Sequence, residues 1–138
     1  MPGAEKRNAL SLAVARAACD ALRAAFPGAA LEVRDLSTGF EAYLLTSLPP
    51  LEAKRIAVRI EDTHPLGRLF DVDVIVPSRS ASEEVSPVSR AAVGSAPRRC
   101  LLCDNEARFC MRQHTHTQEE LMARIREMVE EWGERHRQ

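Results

Sequence analysis

The spacing of hydrophobic and polar residues predicts an amphipathic helix at each end of the chain. Between residues 6 and 26, apolar side chains recur every three or four positions, as on one face of a helix, and Pro27-Gly28 ends the pattern. Near the C-terminus, Thr117 and Glu120 have the spacing of a capping box that starts a second helix. The apolar stripe of that helix consists of Leu121, Met122, Ile125, Met128, Val129 and Trp132. We expect both helices to pack against the rest of the protein.

The segments between these helices have the patterns of β-strands. Residues 31–36 and 40–46 flank a turn cluster and predict a hairpin. Residues 56–61 and 69–76 alternate apolar and polar positions, as half-buried strands do. A short strand near 87–91, within a stretch rich in proline and serine, would be the fifth. The predicted fold class is therefore α+β, with a mixed or antiparallel sheet of four to five strands and the two terminal helices packed on one face.

Length and charge limit the classes of protein to consider. The 138 residues are enough for one domain, 1–138, whose residues 98–138 form a helical C-terminal subregion containing cysteine and histidine. The formal net charge of -1 disfavours a nucleic-acid partner, and no apolar run is long enough for a membrane span. Cysteines that cluster in sequence are typical of reduced thiols or metal ligands, which favours a cytoplasmic protein.

Two acidic residues lie on the strand predicted over 69–76. Asp71 and Asp73 alternate with valines, so their carboxylates share one face of the strand. Paired carboxylates can hold Mg²⁺ beside substrate phosphates. The alternative is a solvent-facing strand with two solubilising acids.

The turn before this strand carries further candidate chemistry. Gly67 permits close backbone approach, and Arg68 can donate two hydrogen bonds to a phosphate. His64 is a candidate general base, although a lone turn histidine more often has no chemical role. Glycine and arginine followed by an Asp-x-Asp strand are an arrangement that suits nucleotidyl transfer.

The cysteines suggest a second site. Cys100, Cys103 and Cys110, followed by His114 or His116, have spacings that suit a tetrahedral zinc site with three thiolates and one imidazole. The alternative is reduced thiols that pack as small apolar side chains.

Zinc binding requires a break in the backbone between the second and third cysteines. On one continuous helix, Cys100 and Cys110 would lie about 15 Å apart and could not share an ion. Asp104 or Asn105 could cap a new helix and so supply the break.

Taken together, two blocks of this sequence resemble the holo-citrate lyase synthases, or apo-citrate lyase phosphoribosyl-dephospho-CoA transferases. The first block is His64-Pro65-Leu66-Gly67-Arg68-Leu69-Phe70-Asp71-Val72-Asp73-Val74. The second contains Ser89-Arg90, Gly94, Arg98-Arg99-Cys100-Leu101-Leu102-Cys103, Ala107, Cys110, Arg112 and His116. The resemblance extends from about residue 8 to about residue 130. Because His116 matches the family pattern, it is the expected fourth ligand if zinc is bound.

The resemblance implies a bacterial transferase that acts on a protein. A serine of the citrate lyase acyl carrier subunit would attack the α-phosphate of 2'-(5''-triphosphoribosyl)-3'-dephospho-CoA, and pyrophosphate would leave. Asp71 and Asp73 would hold Mg²⁺, and Arg68, Arg90 and Arg99 would stabilise phosphate oxygens. Gly67 would also belong to the substrate-binding site. His64 or one aspartate would take the serine proton.

The sequence departs from the family pattern in two places. Family members usually have a further N-terminal segment before the first helix, and the Pro/Ser-rich stretch 77–88 is longer here. Two alternatives to an active enzyme therefore stay open. One is a small zinc-binding interaction module, and the other is an inactive shortened relative that binds the carrier protein.

Overall fold

The computed structural model describes residues 8–77 and 86–135 as an α+β protein. Within this part of the chain there are four α-helices and one two-stranded antiparallel sheet. In chain order these are α1 (Ala9–Ala25), β1 (Ala30–Leu36), β2 (Gly39–Leu45), α2 (Pro50–Thr63), α3 (Ala107–Gln113) and α4 (Gln118–Arg135). None of these helices has the length and apolar character that spanning a lipid bilayer would require.

The predicted terminal helices are confirmed. Asn8 caps α1 by accepting the Ser11 amide, and the Ser11 hydroxyl accepts the Asn8 amide in return. At α4, the Thr117 hydroxyl accepts the Glu120 amide at 3.1 Å, as the capping box predicts. The apolar stripe of α4 faces inward, with Ile125 fully buried.

The central core joins α1 and α4 around the turn that follows α2. Its buried members are Val14, Ala17, Leu66, Phe70 and Met128. A different face of α1, which includes Leu12 and Cys19, lines an open cleft of about 410 Å³ against the hairpin. The helix α1 therefore contacts β2 with one face and α4 with another. We expected both terminal helices to pack on one face of the sheet. Instead, α4 packs against α1 and the turn after α2.

The hairpin is confirmed, but the prediction of four to five strands is wrong for the described residues. Ala30 pairs with Leu45 and Leu36 with Gly39, which makes β1 and β2 the whole sheet there. Residues 56–61 lie in α2 rather than in a strand. Pro50 at the first turn suits a helix start, because the missing amide has no helical partner there.

The segment predicted as a strand over 69–76 is extended but pairs with no strand among the described residues. A 3-10 turn covers Gly67–Leu69, and one backbone bond joins the Val88 amide to the Val74 carbonyl at 2.9 Å. The short strand expected near 87–91 is also absent, since a 3-10 turn forms at Ala91–Val93. Most of the Pro/Ser-rich stretch, residues 78–85, lies outside the described residues.

Candidate functional site

The turn after α2 fits tightly against the end of that helix. The His64 amide donates to the Ile60 carbonyl at 2.9 Å and so closes the last turn of α2. Gly67 is buried directly on the helix end. A Cβ atom at Gly67 would lie 2.3 Å from the Glu61 carbonyl oxygen and 2.5 Å from that of Ile60. Only glycine fits this contact, which places the following Arg68 and the acidic segment beside α2.

The imidazole of His64 is half-buried and contacts two aromatic side chains. Its ring centroid lies 4.9 Å from that of Phe70 and 4.7 Å from that of Trp132. Its Nδ1 accepts the Leu66 amide at 2.9 Å, so in this arrangement Nδ1 is the unprotonated nitrogen. This geometry supports a structural role for His64 in the turn more than a role as general base.

Asp71 and Asp73 are both exposed, as the alternating pattern predicts. Two buried side chains of α2 hold the backbone between them. The Glu61 carboxylate accepts the Val72 amide at 3.1 Å, and Lys54 Nζ donates to the Val72 carbonyl at 3.4 Å. Side chains of a helix therefore provide the backbone bonds that a neighbouring strand would have supplied.

Glu61 also fixes the position of Arg90. The Arg90 guanidinium donates to Glu61 at 2.9 Å, to Asp62 at 2.6 Å and to the Ala96 carbonyl at 2.8 Å. The side chain of Arg90 is only 14% exposed, and that of Glu61 only 4%. All three nitrogens of this guanidinium have protein partners, which favours a positioning role over direct phosphate binding.

Arg68 connects the turn to the cysteine segment. Its Nη2 donates to the Cys100 carbonyl at 2.6 Å, while the residue as a whole is exposed. Arg98 reaches back to the same turn and donates to the carbonyls of Gly67 and Arg68. Arg99 is exposed, with one hydrogen bond of 3.2 Å to the Asp104 carbonyl. These bonds place the guanidinium groups of Arg68 and Arg99 beside the cysteine segment, and both residues are exposed overall.

The structure brings together the four residues proposed as zinc ligands. The ligand atoms of Cys100, Cys103, Cys110 and His116 all lie within 4.8 Å of one another. Cys103 Sγ is 3.4 Å from Cys110 Sγ and 3.5 Å from His116 Nε2. Zn–S bonds of ~2.3 Å at tetrahedral angles place ligand atoms ~3.8 Å apart. The arrangement therefore fits a zinc ion.

Local structure around the cluster also suits a metal. The Leu102 amide points to Cys100 Sγ at 3.5 Å, and the Cys100 amide donates to the Asn105 carbonyl at 2.7 Å. On the other side of the His116 ring, Nδ1 lies 3.7 Å from a carboxylate oxygen of Glu120. A carboxylate behind a ligating imidazole fixes the orientation of the ring.

The thiols of the cluster differ in acidity. Hydrogen bonds with His116, the Asn105 amide and Cys110 lower the pKa of Cys103 to about 7. Thr115 lowers the pKa of Cys110, but burial and the neighbouring sulfurs outweigh it and raise that pKa. A thiolate is the form that binds metal, so Cys103 is already close to its ligand state near neutral pH.

The required break between Cys103 and Cys110 is present, although its cap differs from the prediction. The helix α3 begins after Glu106, which makes no side-chain cap, and neither Asp104 nor Asn105 caps it. His114 is exposed, with a left-handed φ of 49° at the end of α3, and stays outside the cluster.

Sequence reasoning missed three residues that organise this region: Lys54, Glu61 and Arg98. The helical period would have revealed the first two, because Lys54 and Glu61 are seven positions apart and share the buried face of α2 with Ala57. The predicted strand over 56–61 excluded Lys54 and so did not connect it with Glu61. Arg98 is part of the second block that resembles the family, but no sequence pattern indicates its partners, which are distant backbone carbonyls.

Comparison with known proteins adds a family to this geometry. The family model described as apo-citrate lyase phosphoribosyl-dephospho-CoA transferase matches residues 1–132. A protein of Vibrio cholerae serotype O1 (strain M66-2) is 35% identical over 139 residues, covering 96% of this chain and 75% of the relative. A protein of Streptococcus pyogenes serotype M18 is 40% identical over 93 residues, covering 67% of this chain. Both relatives are named probable apo-citrate lyase phosphoribosyl-dephospho-CoA transferases. The match spans about half the length of the streptococcal protein, 47%.

Proposed function

The chain belongs to the apo-citrate lyase phosphoribosyl-dephospho-CoA transferase family, and we propose that it catalyses the transfer for which that family is named. The proposed donor is 2'-(5''-triphosphoribosyl)-3'-dephospho-CoA, and the acceptor is a serine of the citrate lyase acyl carrier subunit. The observation that carries this proposal is the exposed pair Asp71 and Asp73, which follows the exposed Arg68 in the chain. Two buried side chains of α2 hold the backbone of Val72 between the two aspartates.

The proposed reaction is a nucleotidyl transfer onto protein. The serine Oγ forms a bond to the α-phosphorus, the bond from that phosphorus to the bridging oxygen breaks, and pyrophosphate leaves. The serine loses one proton. Such a reaction mainly needs neutralised phosphate charge and an aligned attack.

Asp71 and Asp73 would hold Mg²⁺, since two exposed carboxylates on one face fit a cation that prefers oxygen ligands. When bound there, Mg²⁺ would neutralise charge on the triphosphate. Arg68, which is exposed overall, would bind phosphate oxygens, and Arg99 would assist. Arg90 would not bind phosphate directly, because its guanidinium is already paired with Glu61 and Asp62. It would instead hold Glu61, which in turn holds the backbone of the acidic segment.

For the serine proton, we propose one carboxylate of the aspartate pair as acceptor rather than His64. The Nδ1 of His64 accepts the Leu66 amide, and its ring contacts two aromatic side chains. The aspartates, in contrast, are open to an incoming protein substrate.

We further propose that the cluster of Cys100, Cys103, Cys110 and His116 binds a structural zinc ion. Four protein ligands would complete the tetrahedral shell and leave no position for a substrate. The zinc would join the cysteine segment to α3 and to the start of α4.

The reaction type is tested by measuring pyrophosphate release. We expect release only when the chain, the triphosphoribosyl donor, Mg²⁺ and the apo carrier subunit are all present. Release that continues without the carrier would indicate hydrolysis of the donor instead of transfer. No release under any condition would contradict the proposed activity.

A further inference from the structure

Two arginines join the turn after α2 to the loop that carries the first cysteines, and they reach across in opposite directions. Arg68, in the turn, donates to the Cys100 carbonyl at 2.6 Å. Arg98, in the loop, donates to the carbonyls of Gly67 and Arg68. We call these two arginines, with their three hydrogen bonds, the arginine clasp. Because an ionised donor makes a stronger hydrogen bond than a neutral one, the clasp is a firm link between segments 30 to 32 residues apart in sequence.

The loop that carries Arg98 is closed by backbone hydrogen bonds and contains metal-ligating side chains. The Arg98 carbonyl accepts the Ala107 amide at 2.9 Å, and a backbone bridge pairs Arg99 with Glu106. Within the loop lies Cys100, a member of the cysteine cluster. A metal ion bound by the cluster would therefore hold the backbone from which Arg98 reaches the turn.

At its other end, the clasp contacts the supports of the acidic segment of Asp71 and Asp73. Arg98 Nη1 lies 3.9 Å from the Glu61 carboxylate, which accepts the Val72 amide between the two aspartates. Arg98 therefore contacts both the turn that precedes the acidic segment and the side chain that holds it. The segment pairs with no strand among the described residues, so its position depends on side-chain bonds of this kind.

We propose that Arg98 is a positioning residue for the transfer site, and that the clasp couples zinc binding by the cysteine cluster to substrate binding by Arg68 and the aspartates. The inference rests on the proposed function for the identity of the substrate, which is the triphosphoribosyl donor with Mg²⁺. Arg98 acts through Arg68 and Glu61, because its guanidinium donates to the turn. A zinc ion with four protein ligands has no position for substrate, so this coupling is the way in which it would affect transfer.

Such a coupling has two measurable consequences. A shift of about 1 Å in a group that aligns the reactants can slow a reaction ~10²-fold, so loss of Arg98 should change the kinetics of the folded enzyme. Coupling between two binding sites is also reciprocal. If zinc favours donor binding, the donor must raise the affinity for zinc by the same factor. A role confined to stability would lower the unfolding midpoint without producing this reciprocity.

The test compares Arg98→Ala and Arg98→Lys with the control Arg108→Ala. Arg108 is exposed and precedes Cys110 by two positions, just as Arg98 precedes Cys100. Zinc affinity is measured by competition with a chromogenic chelator, with and without saturating donor in excess Mg²⁺ and in the absence of carrier. Steady-state transfer gives separate KM values for donor and carrier, and the unfolding midpoint shows whether each variant is folded.

We expect the donor to raise the zinc affinity of the wild type about fivefold or more, relative to its effect on Arg98→Ala. Zinc that the donor itself chelates is the same for both proteins and cancels in this comparison. In the transfer assay, Arg98→Ala should raise the donor KM about tenfold and leave the carrier KM unchanged. Arg98→Lys should raise the donor KM about threefold, because one ammonium does not reproduce the geometry of a guanidinium. Arg108→Ala should match the wild type in both measurements.

The positioning role is overturned if Arg98→Ala folds and keeps the wild-type donor KM, or if Arg108→Ala loses as much. Should Arg98→Ala fail to fold, wild-type values in Arg98→Lys would overturn it instead. The coupling is overturned by a wild type that binds no zinc, or whose zinc affinity responds to the donor no more than that of Arg98→Ala.

The proposed function and the arginine clasp fail in different ways. Normal transfer by the wild type with no effect of Arg98 substitution would contradict the clasp and leave the transferase function in place. Absence of transfer from every protein, with a donor effect on zinc affinity that Arg98→Ala abolishes, would support the clasp and contradict the transferase function.

Discussion

Glu61 has a buried carboxylate with partners on three sides. It accepts the Val72 amide and pairs with Arg90 at 2.9 Å, and it lies 3.9 Å from Arg98. Lys54, seven residues earlier on the same helix, donates a hydrogen bond to the Val72 carbonyl. These two charged side chains fix the position of the backbone that carries Asp71 and Asp73.

Replacing Glu61 with glutamine should destabilise the protein by about 3 kcal/mol. The side-chain oxygen of the glutamine can still accept a hydrogen bond from the Val72 backbone N–H. The negative charge that balances two arginines is lost, however, and removing one member of a buried ion pair lowers the free energy of unfolding. The measurement is urea unfolding, with Glu52→Gln in the exposed first turn of α2 as control. Equal midpoints for the two variants would contradict the role given to Glu61.

For individual residues, the sequence predicts the exposure of the two aspartates but not the side chains that hold their segment in place. The alternation around Asp71 and Asp73 correctly indicates that both are exposed. It cannot indicate what holds the segment, because an alternating pattern is the same whether the backbone pairs with a strand or with helix side chains. The surroundings of His64 could not be predicted either, because one of its aromatic neighbours is Trp132, which is distant in sequence.

The helix α2 shows why one element was predicted wrongly. Ile56, Val58 and Ile60 alternate as in a strand, and two charged residues interrupt the helical stripe. Those charges are buried because the packed turn and the extended segment offer them partners. The pattern of apolar residues alone therefore favoured the wrong period.

The packing of the turn on α2 predicts opposite effects for one substitution at two glycines. Gly67→Ala should destabilise the protein by about 1–3 kcal/mol, because the added methyl group meets two backbone carbonyls of α2. Gly133→Ala in α4 meets open space and should stabilise it by up to about 1 kcal/mol. Thermal unfolding of both variants measures this. Equal shifts of the same sign would contradict the tight contact at Gly67.

The cysteine cluster predicts which thiols hold metal. The purified wild-type protein should contain about one zinc per chain, Cys110→Ser should lose it, and Cys19→Ser should keep it. Cys19 is buried like Cys110 but lies on α1, outside the cluster. Metal analysis of the three proteins by mass spectrometry is the check. Absence of zinc from the wild type, or its retention in Cys110→Ser, would contradict the assignment.

Over the whole molecule, the sequence predicts the terminal helices and the hairpin but not their assembly. The stripes of α1 and α4 are strong and local, whereas the core between them is filled by the turn residues Leu66 and Phe70. A turn that serves as core has no periodic pattern to reveal it. The expected larger sheet followed from treating each alternating segment as a paired strand, and pairing is a property of the assembled fold.

The family membership and the exposed carboxylates lead to a single direct test. Purified apo acyl carrier subunit is incubated with the triphosphoribosyl donor, Mg²⁺ and either the wild type, Asp71→Asn or the control Asp20→Asn, whose side chain is exposed on α1. The Vibrio cholerae relative serves as positive control for the reagents. The readout is the intact mass of the carrier over time.

We predict that the wild type and Asp20→Asn add the mass of the phosphoribosyl-dephospho-CoA group to the carrier. Asp71→Asn should stay folded and transfer about 100-fold more slowly or less, because one of the two carboxylates proposed to hold Mg²⁺ is lost. A carrier of unchanged mass with the wild type, while the relative is active, would contradict the proposed function. An equal mass gain with Asp71→Asn would contradict the site.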